Sequence, residues 1–479
     1  MGTDNAPCRA EPALNYPPKD SRLNALTSRI PGGVPDASAG RLQALSGLSQ
    51  RLLDLCRAAG AGQAEVSCSE ERGLNVGVRM AEVETVEATR DRGIAVTVYF
   101  DQRKGSASTA DLREQSLAAT VEQACAIARF TEADPAAGLA DADRMATDPL
   151  ELDAWHPWAL DADRAVELAL ACEAAGCESD PRITNSDGAA VGSGASLGVY
   201  ANSHGFVGAA RETMHSMSCA LVAGRGEAMQ RQGWYSIGLA EADLEPPATI
   251  GRRAAARAVS RLEPRTLATG RYPVLFDAEV ARSLIGHLVG AVSGGAQYRR
   301  ASFLLDSVGE RLFPEWFSIH EQPRLVRGLR SAWFDAEGVA TRAAALVEDG
   351  VMQRYVLGSY SARRLGLETT GNAGGIRNLR VAANAGDQEE LLRGMGTGLL
   401  VTDLMGQGVN TVTGDYSRGA SGFWVEDGAI AYPVDGITVA GNLKAMFQAI
   451  EAVGSDADTR SHLHTGSILL GSMTVAGSQ

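Results

Sequence analysis

The run from Leu399 to Val434, LLVTDLMGQGVNTVTGDYSRGASGFWVEDGAIAYPV, sets six glycines between apolar segments too short to be helices. Glycine inside a regular element gives up backbone entropy and packs nothing, so it is retained where backbones turn sharply or approach closely. The run therefore predicts strands and tight turns. Three uses compete for it: a phosphate cradle, a catalytic loop, or close backbone packing. A Walker loop needs Gly-Lys-Ser/Thr between a strand and a helix, and the run has neither that tripeptide nor that order. GMGTG at Gly394 to Gly398 imitates a dinucleotide fingerprint but precedes its strand instead of following it.

The rest of the chain divides around this run. Residues 1–40 are rich in Pro, Gly, Asp and Ser without periodicity and read as a tail. From Arg41, RLQALSGLSQRLLDLCRAAGAG carries leucines at helical spacing and closes on Gly60. AEVSCSEE, LNVGVRMAEVETVEATRD and GIAVTVYFDQRKGSAS read as three strands, and DLREQSLAATVEQACAIARF as a helix behind Asp111. Residues 131–160 read as linking. A helix follows from Asp161 to Cys177, and strands from Ile183 to Val222 with NSDG and NSHG as hairpin signals. RYPVLFDAEVARSLIGHLVGAVSGGAQ reads as a strand and a helix capped by Asp277, with Val280, Leu284, Leu288 and Val292 as its stripe. Beyond Ala301 the pattern is strand and turn, interrupted by one late helix, GNLKAMFQAIEAVG, behind Asn442. The expected fold class is α+β: a tail at 1–40, an N-terminal helix–sheet domain with linker at 41–235, and a β-rich C-terminal domain at 236–479.

A net charge of −14 argues against a nucleic-acid binder, which needs a basic face. Arg252, Arg253, Arg257, Arg261 and Arg265 recur at mostly helical spacing and read as a solvated helix face. No apolar run approaches the ~20 residues of a membrane-spanning helix, and no secretory signal opens the chain. Seven cysteines, none beyond Cys219, fit reduced thiols better than a disulfide framework. The expected setting is cytoplasmic.

Independent chemistry has few handles. GASLG at Gly194 to Gly198 matches a nucleophile elbow around Ser196, but the elbow needs a following helix, and VYANSHGF reads as strand and turn. His462 and His464 are the only close histidine pair; on a strand they share a face, yet no third ligand lies near, and an exposed edge is the expectation. His287 sits alone mid-helix, with no second histidine and no adjacent glutamate to act as base.

GSYSARRLGLETTGNAGGIRNLRV, the Leu399–Val434 run and ITVAGNLKAMF together resemble the PmbA/TldE proteins, and YFDQRKGSASTADL and FDAEVARSLIGHLVG fit the same pattern. The resemblance covers roughly residues 40–475. It implies a subunit of a heterodimeric TldD/TldE-type metalloprotease that degrades unfolded peptides or trims leader peptides. In such a complex a TldD-like subunit carries zinc on a His-Glu-x-x-x-His helix with a distal cysteine. By that resemblance Gly286, His287 and Ala291 stand where the zinc subunit has His, Glu and His, and the cysteine would fall near Val453 or Gly454. The metal site is thus degenerate, with no cofactor expected here and zinc expected in the partner.

The implied role is to complete a substrate chamber and support the active subunit. Asn410, Asp415, Arg418, Gln407 and Asn372 are the candidates for contact with a peptide or with the partner. Asp415 and Arg418 are expected to form an ion pair or hydrogen-bonding set that fixes their turn, with Arg418 or Asn410 reaching a peptide as the functional version. An isolated chain is expected to be able to form a homodimer through the surface meant for its partner. Two other classes stay open: a protein-binding modulator of the gyrase-regulating kind, and an independent enzyme built on Ser196 or His462/His464.

Overall fold

The computed structural model describes residues 38–477. Of the expected tail, residues 1–37 lie outside the described residues, and Ser38 to Gly40 begin the first helix. The chain forms two compact units. The first comprises the described residues to Val98 together with Gly105–Phe130 and Asp153–Leu262. The second comprises Tyr99–Lys104, Thr131–Leu152 and the chain from Glu263.

In the first unit, α1 (Ser38–Ala58) precedes β1 (Gln63–Arg79), β2 (Glu82–Phe100) and β3 (Arg103–Thr109). Then come α2 (Glu114–Phe130), α3 (Ala162–Cys177), β4 (Ile183–Asn202), β5 (Val207–Ala223), β6 (Gln230–Gly238) and α4 (Pro247–Ser260). The strands make one sheet in the order β3-β2-β1-β4-β5-β6. Its core alternates with the two-residue period of a half-buried sheet. Leu74, Val76 and Val78 of β1, with Val191, Met217 and Leu221, pack on Ala165, Ala169 and Cys172 of α3 and Ile250, Ala254 and Ala258 of α4.

Two turns differ from expectation. The sequence places a strand straight across Arg79 to Glu82, whereas the hairpin turns there on Met80 and Ala81, both at positive φ (53° and 61°). Neither residue type signals a turn. The conformation is supported from outside the hairpin by the buried Glu173, whose two carboxylate oxygens accept the N–H groups of Met80 and Ala81 at 2.9 and 2.8 Å. Conversely, NSDG at Asn185 to Gly188 is not a hairpin. β4 continues through it with register shifts against β5, and Gly188 takes φ +108°. The motif is a β-bulge, where one strand absorbs an extra residue. NSHG at Asn202 to Gly205 does form the β4–β5 turn.

The second unit contains β7 (Gly270–Phe276), α5 (Ala278–Ala291), α6 (Gly294–Tyr298), β8 (Ile319–Glu321), β9 (Ala344–Glu348), β10 (Val351–Met352), α7 (Ser359–Leu365) and β11 (Leu379–Val381). It continues with α8 (Gln388–Met395), β12 (Gly398–Met405), β13 (Asp415–Glu426), β14 (Ala429–Asn442), α9 (Leu443–Gln448), β15 (Ile450–Val453), β16 (Leu463–His464) and β17 (Ile468–Gly477). One sheet runs β10-β9-β8-β11-β16; the other runs β14-β13-β12-β7-β17-β15. A further pairing of β14 with β17 closes five strands of the latter into a ring.

One face of this ring carries Val274, Phe276, Leu399 and Val401 against Ala281, Leu284, Ile285 and Leu288 of α5. Leu275, Leu400 and Leu469 face the other way, onto Leu391 and Leu392 of α8. More helices interrupt this region than the one expected. The late helix is also shorter than expected: α9 ends at Gln448, and Ile450 to Val453 leave it to pair with β17 as β15.

The stretch 131–152 is an ordered part of the second unit. Arg363 of α7 donates to the Leu139 carbonyl at 2.5 Å and to the Asp141 carboxylate at 2.9 Å. Tyr360 donates to Asp134 at 2.7 Å. No helix among the described residues is long and apolar enough to cross a membrane.

Candidate functional site

β7 runs into α5 with Asp277 between them, and Asp277 anchors the junction three ways. Its backbone N–H donates to Val401 O at 2.9 Å. One carboxylate oxygen accepts the Glu279 N–H at 2.9 Å, and the other accepts Gln388 Nε2 at 2.9 Å. The first two are what a cap at the end of a parallel-paired strand can provide. They hold α5 in a fixed position over the ring.

α5 presents Gly286, His287, Gly290 and Ala291 in its last two turns. A Cβ added at Gly286 or at Gly290 would meet no heavy atom within 4 Å, so both glycines border open space. Ala291 faces the opposite way, fully buried in the apolar core. His287 lies between these surroundings, half-buried.

A strand distant in sequence meets this part of α5. The imidazole of His287 meets the ring of Tyr416 edge-on, centre to centre 6.0 Å. Tyr416 and Arg418 lie two apart on β13, a spacing that puts their side chains on one face. Burial, then the nearby Arg418 guanidinium, pushes the His287 imidazole below its ordinary value, which favours the neutral ring. Burial pushes the Tyr416 phenol up to about 12, with Arg418 pulling it the other way. His287 Nε2 and Arg418 Nε are buried with no hydrogen-bond partner, and the Tyr416 hydroxyl, also buried, has the Arg418 side chain within reach. The sequence singles out His287 and Arg418 but not Tyr416; its place two residues from Arg418 on a strand is the signal that was there to use.

Three donors for a zinc ion are not assembled here. Gly286 and Ala291 have no side-chain donor atom. Val453 is buried in the core, and a side chain at Gly454 would meet Asp456 Oδ1 at 2.1 Å. Among the described residues, no group of three or more His, Cys, Asp or Glu could hold a metal ion. The residues in this position do not fit zinc.

The other candidates are placed as follows. Asn410 is exposed and closes a turn, its Oδ1 accepting the N–H groups of Val412 and Thr413 at 2.9 and 3.2 Å. Gln407 is exposed one residue before Gly408. Asp415 and Arg418 do not form the expected pair. Asp415 accepts from Thr413 Oγ1 at 2.7 Å and from Asn442 Nδ2 at 3.3 Å, and these bonds hold its carboxyl below the ordinary value. Arg418 turns inward, where Nη2 donates to the Leu404 carbonyl at 3.3 Å. An odd spacing on a strand sends two side chains to opposite faces, which separates them. Asn372 is buried, donating to both Glu321 oxygens at 2.9 and 3.1 Å and accepting from Arg354 at 2.8 Å. The structure thus brings Arg418 to His287 and leaves Asn410, Gln407 and Asp415 on an exposed turn.

The remaining motifs resolve simply. Gly408 lets the loop after β12 lie close against β13: a Cβ there would lie 1.9 Å from the Ser417 carbonyl oxygen, which answers what at least one glycine of the run is for. Ser196 lies mid-strand opposite Glu71 and Glu212, with no strand-to-helix elbow. β16, which carries His464, is the edge strand of its sheet as expected, but His462 and His464 are half-buried there. Both are pushed down first by burial, with Arg330 next for His462 and Arg380 also lowering His464, surroundings that disfavour a metal cation. The arginine run is divided. Arg253 and Arg257 stack over Trp234 in the first unit, and Arg265 stacks over Tyr432 in the second.

Family models match the chain in three consecutive parts. Residues 64–128 match PmbA/TldA metallopeptidase domain 1, residues 155–262 the central domain, and residues 269–477 the C-terminal domain. A relative from Escherichia coli O157:H7, named Metalloprotease PmbA, is 49% identical over 86% of this chain and 92% of its own length. A crystal structure from Bacteroides thetaiotaomicron, described as a candidate modulator of DNA gyrase, superposes with a TM-score of 0.86 at 27% identity, over 90% of this chain and 98% of that one. TldE from Thermococcus kodakarensis shares the fold, with a TM-score of 0.79 at 20% identity, over 90% of this chain and 100% of its own.

Proposed function

This chain belongs to the PmbA/TldA metallopeptidase family, and from that premise we propose that it is the zinc-free subunit of a two-subunit peptidase. Its partner is a TldD-like subunit that carries the metal, and their substrates are unfolded or leader-type peptides. The observation that carries the reading is the composition of α5. Where the resemblance places two metal ligands and a base, the helix has Gly286, His287 and Ala291, and neither Gly286 nor Ala291 can donate to a metal.

This chain's part in the reaction is then to bind and orient. A Cβ at Gly286 or Gly290 would meet nothing within 4 Å, and this is the side of α5 to which the reading assigns an extended peptide. Buried polar groups beside it supply direction without bond cleavage. A gyrase-modulating role rests on a neighbour's description alone.

The test is reconstitution. Purified chain, purified zinc-bearing partner and their mixture are assayed on an unfolded peptide, with metal content measured in each. Hydrolysis that requires both proteins, with zinc only in the partner, is expected. Full-rate hydrolysis by the partner alone, or by this chain alone, overturns the reading.

A further inference from the structure

The cluster beside α5 has a chemistry that the absence of metal ligands does not explain. Tyr416 is 1% exposed, so its hydroxyl has no access to bulk water. His287 Nε2 and Arg418 Nε are buried polar atoms without partners, the Arg418 side chain lies within hydrogen-bonding reach of that hydroxyl, and the imidazole meets the same tyrosine ring. A buried polar group left unmatched is costly, and a buried charge more so. Such a concentration calls for a ligand.

The donor set says which kind. A guanidinium only donates, a phenol donates readily, and a neutral imidazole can present Nε2 as N–H. Arg418 supplies the one fixed charge. Its Nη2 donates to the Leu404 carbonyl and the side chain also reaches the Tyr416 hydroxyl, while Nε is uncommitted. No carboxylate acts on His287 or on Tyr416, and Asp415 is engaged with Thr413 and Asn442. One positive charge with two neutral donors matches an anion of charge −1. A doubly charged phosphate would keep a net charge in a buried place. A planar carboxylate also suits the planar fork of arginine.

We propose that Arg418, Tyr416 and His287 bind the C-terminal carboxylate of a peptide lying along α5. The choice of a peptide rests on the reading of this chain as a peptide-handling subunit; the choice of a monoanion rests on the donors alone.

Calorimetric titration of the full chain, without any partner subunit, tests it. The probes are N-acetyl-trialanine with a free carboxylate, the same peptide as its C-terminal amide, acetate and inorganic phosphate. The free acid is expected to bind more tightly than the amide by on the order of tenfold, the strength of a charge-assisted pair over a neutral one. Arg418→Gln should abolish that preference. Tyr416→Phe, which removes one oxygen and keeps the ring, should reduce it with the melting temperature held. Equal binding of acid and amide overturns the proposal, as does a preference that survives Arg418→Gln in a folded variant. Arg418-dependent acetate binding without peptide binding overturns the peptide assignment, and phosphate binding as tight as the acid overturns the monoanion assignment. None of these outcomes depends on hydrolysis, so failure of the reconstitution and failure here are separate results.

Discussion

Glu173 on α3 holds the turn at Met80 from outside its hairpin: one carboxylate oxygen accepts the Met80 N–H at 2.9 Å while the other accepts the neighbouring Ala81 N–H at 2.8 Å. The same carboxylate also takes the Ser186 hydroxyl. Glu173→Ala leaves two backbone donors unmatched beside a buried site. It should lower unfolding free energy by about 2–6 kcal/mol, from about 1–3 kcal/mol per orphaned group. Urea denaturation of the two proteins measures this directly; a change under about 0.5 kcal/mol would show that water replaces the carboxylate.

Tyr416→Phe makes the opposite case. The hydroxyl is buried and makes no well-formed hydrogen bond, with the Arg418 side chain as its polar neighbour, so its removal takes away a desolvated group and leaves packing intact. Stability should stay within about 0.5 kcal/mol of wild type or rise. Tyr416→Ala should cost about 3–5 kcal/mol through the cavity it opens. A large loss in the Phe variant, read by thermal melting, would mean that the hydroxyl is already satisfied.

Asp335 links stability to pH. It is buried, and burial pushes its carboxyl up to about 6, although the N–H groups of Ala373, Glu337 and Val339 oppose the shift. The folded value lies above the unfolded one, so the contribution of this group is fully present below about pH 4 and is lost as pH rises through 6. The stability of wild type relative to Asp335→Asn should therefore fall between pH 4 and 7, by up to about 3 kcal/mol. Paired denaturation curves across that range check the sign. A difference that grows with pH would mean that the three N–H bonds win over desolvation.

Two glycines should respond in opposite directions to alanine. At Gly408 the new methyl would sit 1.9 Å from the Ser417 carbonyl, so backbone must move. A loss of about 2 kcal/mol or more is expected, as for overpacking. At Gly286 the methyl meets nothing within 4 Å, and the helix gains about 0.5–1 kcal/mol from the stiffer residue. Melting temperatures of the two variants, taken side by side, separate close packing from open space.

These cases also show which features the chain displays openly. α5 is readable because its signals are local: Asp277 caps, the leucines repeat at helical spacing, and the strand before it is apolar. The Met80–Ala81 turn is not, because its stabilising group is Glu173, far along the chain, and Met-Ala has no turn preference of its own. NSDG misleads because the residues that favour a hairpin also favour a bulge, and only pairing with β5 decides between them. Ile450 to Val453 continue a helical pattern yet pair with β17, tertiary contact overriding local periodicity. At the site, His287 and Arg418 stand out individually in the sequence. Their meeting depends on how β13 docks beside α5, which no local spacing encodes.

The composition of the second unit sets an order of events during synthesis. Thr131–Leu152 leaves the ribosome long before the elements it packs against, α7 among them. It must wait as an unpaired extension while Asp153–Leu262 completes the first unit. The ring cannot close until β17 emerges, because β17 bonds both β7 and β14. Apolar residues of β7 and α5, such as Val274 and Leu284, are therefore uncovered for most of that interval. Chaperone demand during translation should be concentrated on the second unit, and a pause in translation before β17 would prolong the exposure.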